Sequence, residues 1–188
     1  GRVLVSTDDP EIAEIAIKYG AEVPFLRVDA NYDFATSSDA TICALIQAES
    51  HWKRSFSVVA QLMANCPLRN SLDVKNLMAS FESSDGPSQI SVFPYGFCNP
   101  WWALEISGDR KPKYNFPGAT QQRSQDLPEL YCPTGAMWVA KRDYLFNEKT
   151  FYCEGHTVEP ISWISALDID DYNDLDIARV CLSYQQKK

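Results

Sequence analysis

The sequence has little histidine, no closely spaced cysteines and no long apolar run, and each shortage removes a class of function. Only His51 and His156 are present among 188 residues, so catalysis through a histidine base has few candidates. The six cysteines, Cys43, Cys66, Cys98, Cys132, Cys153 and Cys181, include no Cys-x-x-Cys pair and no neighbouring histidine at zinc-ligand spacing. They read as reduced thiols. No apolar run approaches the roughly 20 residues that a membrane span needs, and the N-terminus lacks the charged-then-apolar layout of a signal peptide. The expected compartment is the cytoplasm. Basic residues are outnumbered, 17 against 25, for a formal charge of -8 and a pI near 4.7. That balance repels nucleic acid and anionic membranes, so neither is an expected partner, and an anionic substrate needs local cations or a metal to hold it.

What is present is enough apolar residue, 45% of the chain, for one well-buried domain spanning residues 1–188. "RVLVS" reads as a short strand. "DDPEIAEIAIKYG" follows as a helix, with Asp9 as N-cap, Pro10 at the first helical position, Gly20 past the end, and Ile12, Ile15, Ala16 and Tyr19 on one face. "AEVPFL" is a second strand, "RVDANYDFATSS" a polar loop and "DATICALIQAESHW" a helix. "SFSVVAQLMA" reads as a buried strand, "SLDVKNLMASFES" as an amphipathic helix and "SQISVFP" as another strand. Strands alternating with helices predict an α/β fold whose mostly parallel sheet is covered on both faces. Between residues 99 and 131 the alternation stops: Trp101 and Trp102 lie in a short strand-like run, and a polar segment follows. This stretch is expected to leave the sheet and to mediate a homodimer. "TGAMWVAKRDYL" resumes strand then helix, "ISWISALDI" reads as a last strand, and "DYNDLDIARVCLSYQ" closes as a helix with Leu175, Ala178 and Leu182 toward the core.

Five aspartates, Asp168, Asp170, Asp171, Asp174 and Asp176, crowd the start of that helix. Capping and the helix dipole account for Asp170, Asp171 and Asp174 without any further role. A second reading stands beside it. If the preceding run is a strand, Asp168 and Asp170 point to one face at its C-terminal end, where open α/β sheets bind ligands. Two hard oxygen ligands there suit Mg²⁺ carrying a phosphate-bearing substrate. Two other loops leave the same edge. "NCPLRNS" is stiffened by Pro67 and can present Arg69; the segment after "AEVPFL" offers Arg27 and the small residues Ala35, Thr36, Ser37 and Ser38.

The stretches "VLVSTDDPEIAEIAIKYGAEVPFLR", "NCPLR", "RSQDLPELYCPTGAMWVAK" and "ALDIDDYNDLDIA" together resemble the acylneuraminate cytidylyltransferase family, the CMP-sialic acid synthetases, over almost the whole length and in the family's order. The resemblance implies a Rossmann-like three-layer α/β/α fold and a homodimer in which an extension of one subunit covers the other's sugar pocket. It implies Mg²⁺-dependent transfer of CMP from CTP to the anomeric hydroxyl of a nine-carbon sugar acid, by in-line attack on the α-phosphate with pyrophosphate leaving. By motif position it assigns Asp168 and Asp170 to the metal and Arg27 with the loop Ala35 to Ser37 to the cytidine. Arg69, Arg123, Gln125 and Tyr131 fall to the substrate side, and Phe151 and Tyr152 to an aromatic pair packing on the partner's sugar.

The chain departs from the family pattern in two ways. Members begin with a strand and a Gly-rich, basic loop that cradles the triphosphate, whereas this sequence starts at the next strand. It therefore reads as N-terminally truncated, with impaired activity expected, and a noncatalytic homodimeric binding or assembly remnant as the alternative. On the sugar side, Met63 stands where sialic acid enzymes often carry Gln, and Ser124, Cys132 and Thr134 where arginine, arginine and asparagine are common. Fewer donors argue against ordinary sialic acid. "RSQDL" resembles the pseudaminic acid branch and "PTGAMWVA" the sialic one.

Overall fold

A computed structural model of the chain describes residues 2–27 and 36–186. It is a mixed α/β structure. Its four-stranded sheet has the order β1-β5-β2-β6, built from β1 (Val58–Gln61), β2 (Ser88–Pro94), β5 (Tyr131–Lys141) and β6 (Thr157–Pro160). β5 runs antiparallel to β1, with Val58 opposite Lys141 and Gln61 opposite Trp138. It also opposes β2, since Lys141 N donates to Pro87 O at 2.9 Å and Tyr95 N to Leu130 O at 3.1 Å. β6 follows β2 in direction, through Thr157 Oγ1 to Ser88 O and Ile161 N to Val92 O. β1, β2 and β6 therefore share one direction and β5 is the reversed strand, the mostly parallel sheet that alternating elements predict. A separate hairpin pairs β3 (Leu104–Ile106) with β4 (Pro112–Tyr114).

Two compact units divide the chain: Gly1–Gln61 with Asp85–Gln89 and Trp138–Thr157, and Leu62–Ser84 with Ile90–Met137 and Val158–Lys188. In the first, α1 (Pro10–Lys18) starts as expected, its Asp9 side chain accepting from Glu11 N and Ile12 N, and Gly20 lies beyond its end at φ +89. Ala13, not the isoleucine stripe, is the buried residue of α1; Ile12 and Ile15 are half-exposed. The two strands expected around α1 reduce to one parallel bridge, Leu4 to Glu22, flanked by backbone hydrogen bonds to Val3 and Val5. Helix α2 (Ser37–Trp52) is fixed by a capping box between Thr36 and Asp39. The guanidinium of Arg142, in α4 (Arg142–Glu148), forks onto Glu49 of α2 with two 2.8 Å bonds. β1 alternates exposed and half-buried residues rather than being buried, as befits the end strand of the sheet.

In the second unit α3 (Ser71–Ser83) carries another capping box, Asn70 with Asp73. Trp101 and Trp102 form a 3-10 turn, Pro100–Trp102, not a strand: Pro100 fits its first position and the Asn99 side chain accepts from Trp101 N. Both indoles then donate to carbonyls of the same excursion, Trp101 to Pro128 O and Trp102 to Ala119 O. Trp102 stays 39% exposed even so, and the hairpin adds to the apolar surface, with Ile106 73% exposed and Leu104 and Tyr114 nearer 40%. The last strand expected at "ISWISALDI" is also corrected. Ser162 caps a short helix, α5 (Trp163–Ala166), by accepting from Ser165 N, and an irregular segment follows. β6 lies just upstream. Helix α6 (Tyr172–Gln185) buries Ala178 and Cys181 against Leu68, while Leu182 is 45% exposed. Of the six thiols Cys98 alone is exposed; the others are buried or half-buried.

Candidate functional site

The segment between α5 and α6 sorts the aspartates. Asp171 is the N-cap of α6: its carboxylate accepts from Asn173 N at 2.7 Å and Asp174 N at 3.0 Å, and these bonds hold its carboxyl below the usual range. Asp174 closes the capping box from the other side, accepting from Asp170 N and Asp171 N, and Asp176 pairs with Arg179. Capping thus engages Asp171 and Asp174 and leaves the side chains of Asp168 and Asp170 free of it. Asp168 makes no hydrogen bond or ion pair among the described residues. Asp170 accepts one, from Asn65 Nδ2 at 3.2 Å.

The alternation that a strand would have supplied has another cause here. Ile169 packs onto the Leu68, Ala178 and Cys181 cluster, and its N–H donates to Asn65 O at 2.9 Å. Anchoring the middle residue leaves its two neighbours exposed. No group of three or more His, Cys, Asp or Glu side chains that could hold a metal occurs among the described residues. Two carboxylates, one of them unpartnered, nevertheless fit Mg²⁺, which keeps several waters and is bound through one or two carboxylates plus substrate phosphates. Neighbouring Cys66 is 1% exposed, and burial, reinforced by the charges of Asp168 and Asp170, pushes its thiol up. It stays protonated and does not compete as a soft ligand.

Arg69 serves the loop that carries Cys66 more than it reaches outward. Its Nη1 donates to Ala136 O at 2.6 Å and Met63 O at 3.2 Å, stapling the turn to β5. It forms no ion pair among the described residues, and burial depresses its pKa. Met63 donates its N–H to Gly135 O, and its side chain lies against the Cα of Gly135, where no Cβ would fit. Thr134 is buried with its hydroxyl on Ala166 O at 2.8 Å, so that donor is consumed by the fold.

The other substrate-side residues lie in the excursion of the same unit. Arg123 forks onto Asp126 at 2.7 and 3.0 Å, and Tyr131 donates to Glu129 at 2.6 Å, a bond that raises its phenol. Gln125 lines a cleft of about 340 Å³ with Tyr95, Asn99, Ser124 and Leu130. In the first unit Arg27 is ion-paired with Asp8 at 2.9 Å and Ser37 opens α2, while Ala35 lies outside the described residues. Phe151 is fully buried, its ring against Trp138, and cannot present a face to a partner's sugar; Tyr152, between Trp138 and His156, is 46% exposed. Sequence reading missed Asn65 and Gly135 because both act through neighbours distant in the chain.

No family model matches the chain. It is 32% identical over 183 residues to CMP-N,N'-diacetyllegionaminic acid synthase of Campylobacter jejuni, spanning 96% of this chain and 77% of that protein. It is 29% identical over 177 residues to post-translational flagellin modification protein B of Campylobacter coli, 93% and 74% of the two chains, and 26% identical over 179 residues to pseudaminic acid cytidylyltransferase of C. jejuni, 95% and 76%. Among solved structures, CMP:2-keto-3-deoxy-manno-octonic acid synthetase complexed with CTP superposes with a TM-score of 0.64 at 13% identity, covering 98% of this chain and 82% of that one. A 4-diphosphocytidyl-2C-methyl-D-erythritol synthase from Anaerococcus prevotii gives 0.57 at 12%, covering 96% and 80%. At those identities the likeness is one of fold.

Proposed function

The chain belongs to the acylneuraminate cytidylyltransferase family, and from that membership we propose that it transfers CMP from CTP to a nine-carbon 2-keto sugar acid with release of pyrophosphate. The observation that carries the proposal is the release of Asp168 and Asp170 from the capping of α6, which Asp171 and Asp174 perform. These two carboxylates would hold Mg²⁺. When bound, the metal supplies charge neutralisation at the transferred phosphate and polarises it for attack. The chain's own task is to orient. Ser37, at the positive end of α2, and Arg27 contribute on the nucleotide side. Gln125 offers amide donors in the cleft beside Asn99. Arg123 and Tyr131 reach the sugar by exchanging their carboxylate partners, Asp126 and Glu129, for the substrate's own anionic and hydroxyl groups.

The acceptor is a nonulosonic acid other than ordinary sialic acid. Met63 is apolar, and Thr134 spends its hydroxyl on Ala166, so polar groups are fewer on that side. The relatives are named as synthases and cytidylyltransferases, and neither they nor the fold support the expected loss of activity or the noncatalytic alternative. We place the reaction in the cytoplasm, where CTP is held; no helix among the described residues is long and apolar enough to cross a membrane. The functional form is a homodimer, joined through the hairpin whose apolar side chains stand exposed. The test supplies the full-length protein with CTP, Mg²⁺ and a panel of pseudaminic, legionaminic and sialic acids. CMP-sugar with pyrophosphate is expected from the first two in preference to the third. Pyrophosphate no greater than in a protein-free control, with every acid, overturns the proposal.

A further inference from the structure

We infer that Asn65 is a positioning residue for the Asp168–Asp170 pair, an inference that rests on the metal reading above and deepens it. Asn65 sits half-buried in the loop from β1 to α3 and reaches the carboxylate segment twice, across 105 positions of sequence. Its carbonyl accepts the Ile169 N–H at 2.9 Å and fixes the backbone between the two aspartates. Its side-chain Nδ2 donates to Oδ1 of Asp170 at 3.2 Å. The amide cannot turn over freely. The Asp170 carboxylate can only accept, which turns Nδ2 toward it and leaves Oδ1 facing the buried Cys66 thiol at 4.0 Å. Thiol, amide and carboxylate thus form a directed chain, each donating to the next.

The consequence concerns which oxygens remain for a cation. One oxygen of Asp170 is occupied and oriented, its backbone N–H is held by Asp174, and among the described residues nothing bonds to either oxygen of Asp168. Asp170 is therefore presented with its second oxygen free, in a direction set by a group that touches neither metal nor nucleotide. Ligating carboxylates are commonly held this way, and loss of such an outer partner lowers metal affinity about 10- to 100-fold.

Asn65→Leu is close in size and lacks the amide, and Asn65→Ala removes it outright; both keep the carbonyl that accepts from Ile169. The probe is Mn²⁺ alone, titrated into the full-length protein and followed by the electron paramagnetic resonance signal of the free ion, with thermal melts alongside. Wild type should bind Mn²⁺ and Asp168→Ala should not. Both Asn65 variants should bind about tenfold or more weakly, with metal-free melts close to wild type. Wild-type Mn²⁺ affinity in a folded Asn65 variant overturns the inference and leaves the metal site standing. Equal binding, or equal absence of it, in wild type and Asp168→Ala overturns the metal site itself and the inference with it.

Discussion

Met63 lies so close over Gly135 that a methyl group added at 135 would come within 2.1 Å of its sulfur and 2.8 Å of its Cγ. Gly135→Ala therefore forces Met63 from its place and should cost about 1–3 kcal/mol, read as a lower urea midpoint. Met63→Ala in the same chain vacates the space. The double variant should then be more stable than the sum of the two single losses, and strict additivity would show that the pair is not in contact.

Asp171 and Asp168 should respond in opposite ways to removal. Asp171→Ala loses two bonds to the first turn of α6 and should lower stability by about 1 kcal/mol, with ligand binding intact. Asp168→Ala breaks no hydrogen bond among the described residues, so its metal-free melt should stay near wild type. The rise in melting temperature produced by Mg²⁺ with CTP should vanish only in Asp168→Ala. A full rise in that variant removes Asp168 from the metal site.

The Glu49–Arg142 fork makes stability depend on acid. Arg142 and a backbone N–H from Phe56 hold the Glu49 carboxyl below its ordinary value. A group depressed by folding contributes fully above its unfolded pKa, about 4.3 for glutamate, and the contribution disappears as pH falls through the lower folded value. Glu49→Gln should thus be less stable than wild type at pH 6, with the gap narrowing as pH is lowered below about 4. Melts in buffers from pH 6 down to pH 3 measure this, and a gap independent of pH would discount the ion pair.

The hairpin carries a test of assembly. Ile106→Asp places a charge on its most exposed aliphatic position, which a lone chain tolerates and a buried interface does not. Light scattering should show wild type at twice the chain mass and the variant at the chain mass, with similar melts. A wild type of single-chain mass at all concentrations removes the dimer.

Legibility in the sequence followed how local each cause was. The start of α1 could be read because cap and capped residues sit within three positions, α3 from its amphipathic run, and β2 because a run of buried residues with turn signals at both ends has few other solutions. "ISWISALDI" failed for a local reason outweighed by another: its apolar alternation suits a strand, but Ser162 accepting from Ser165 N starts a helix. The aspartate pair was legible as a pair, yet its exposure comes from Ile169 tied to Asn65, a contact that spacing cannot announce. Phe151 looked like a ligand platform beside Tyr152; only burial separates the two rings.

Cys98 stands two residues before the 3-10 turn that opens the excursion, and it is exposed where Cys43 and Cys132 are half-buried and the other three thiols buried. Chemistry in a test tube will find it first. A maleimide dye should attach there faster than at the half-buried Cys43 and Cys132, giving a fluorescent reporter close to the hairpin without any substitution. Air will find it too: outside a reducing compartment, two chains can become joined through Cys98. A doubled band on a gel run without reductant would then record that sulfur bond, and the mass of the native assembly is to be taken with a thiol reagent present.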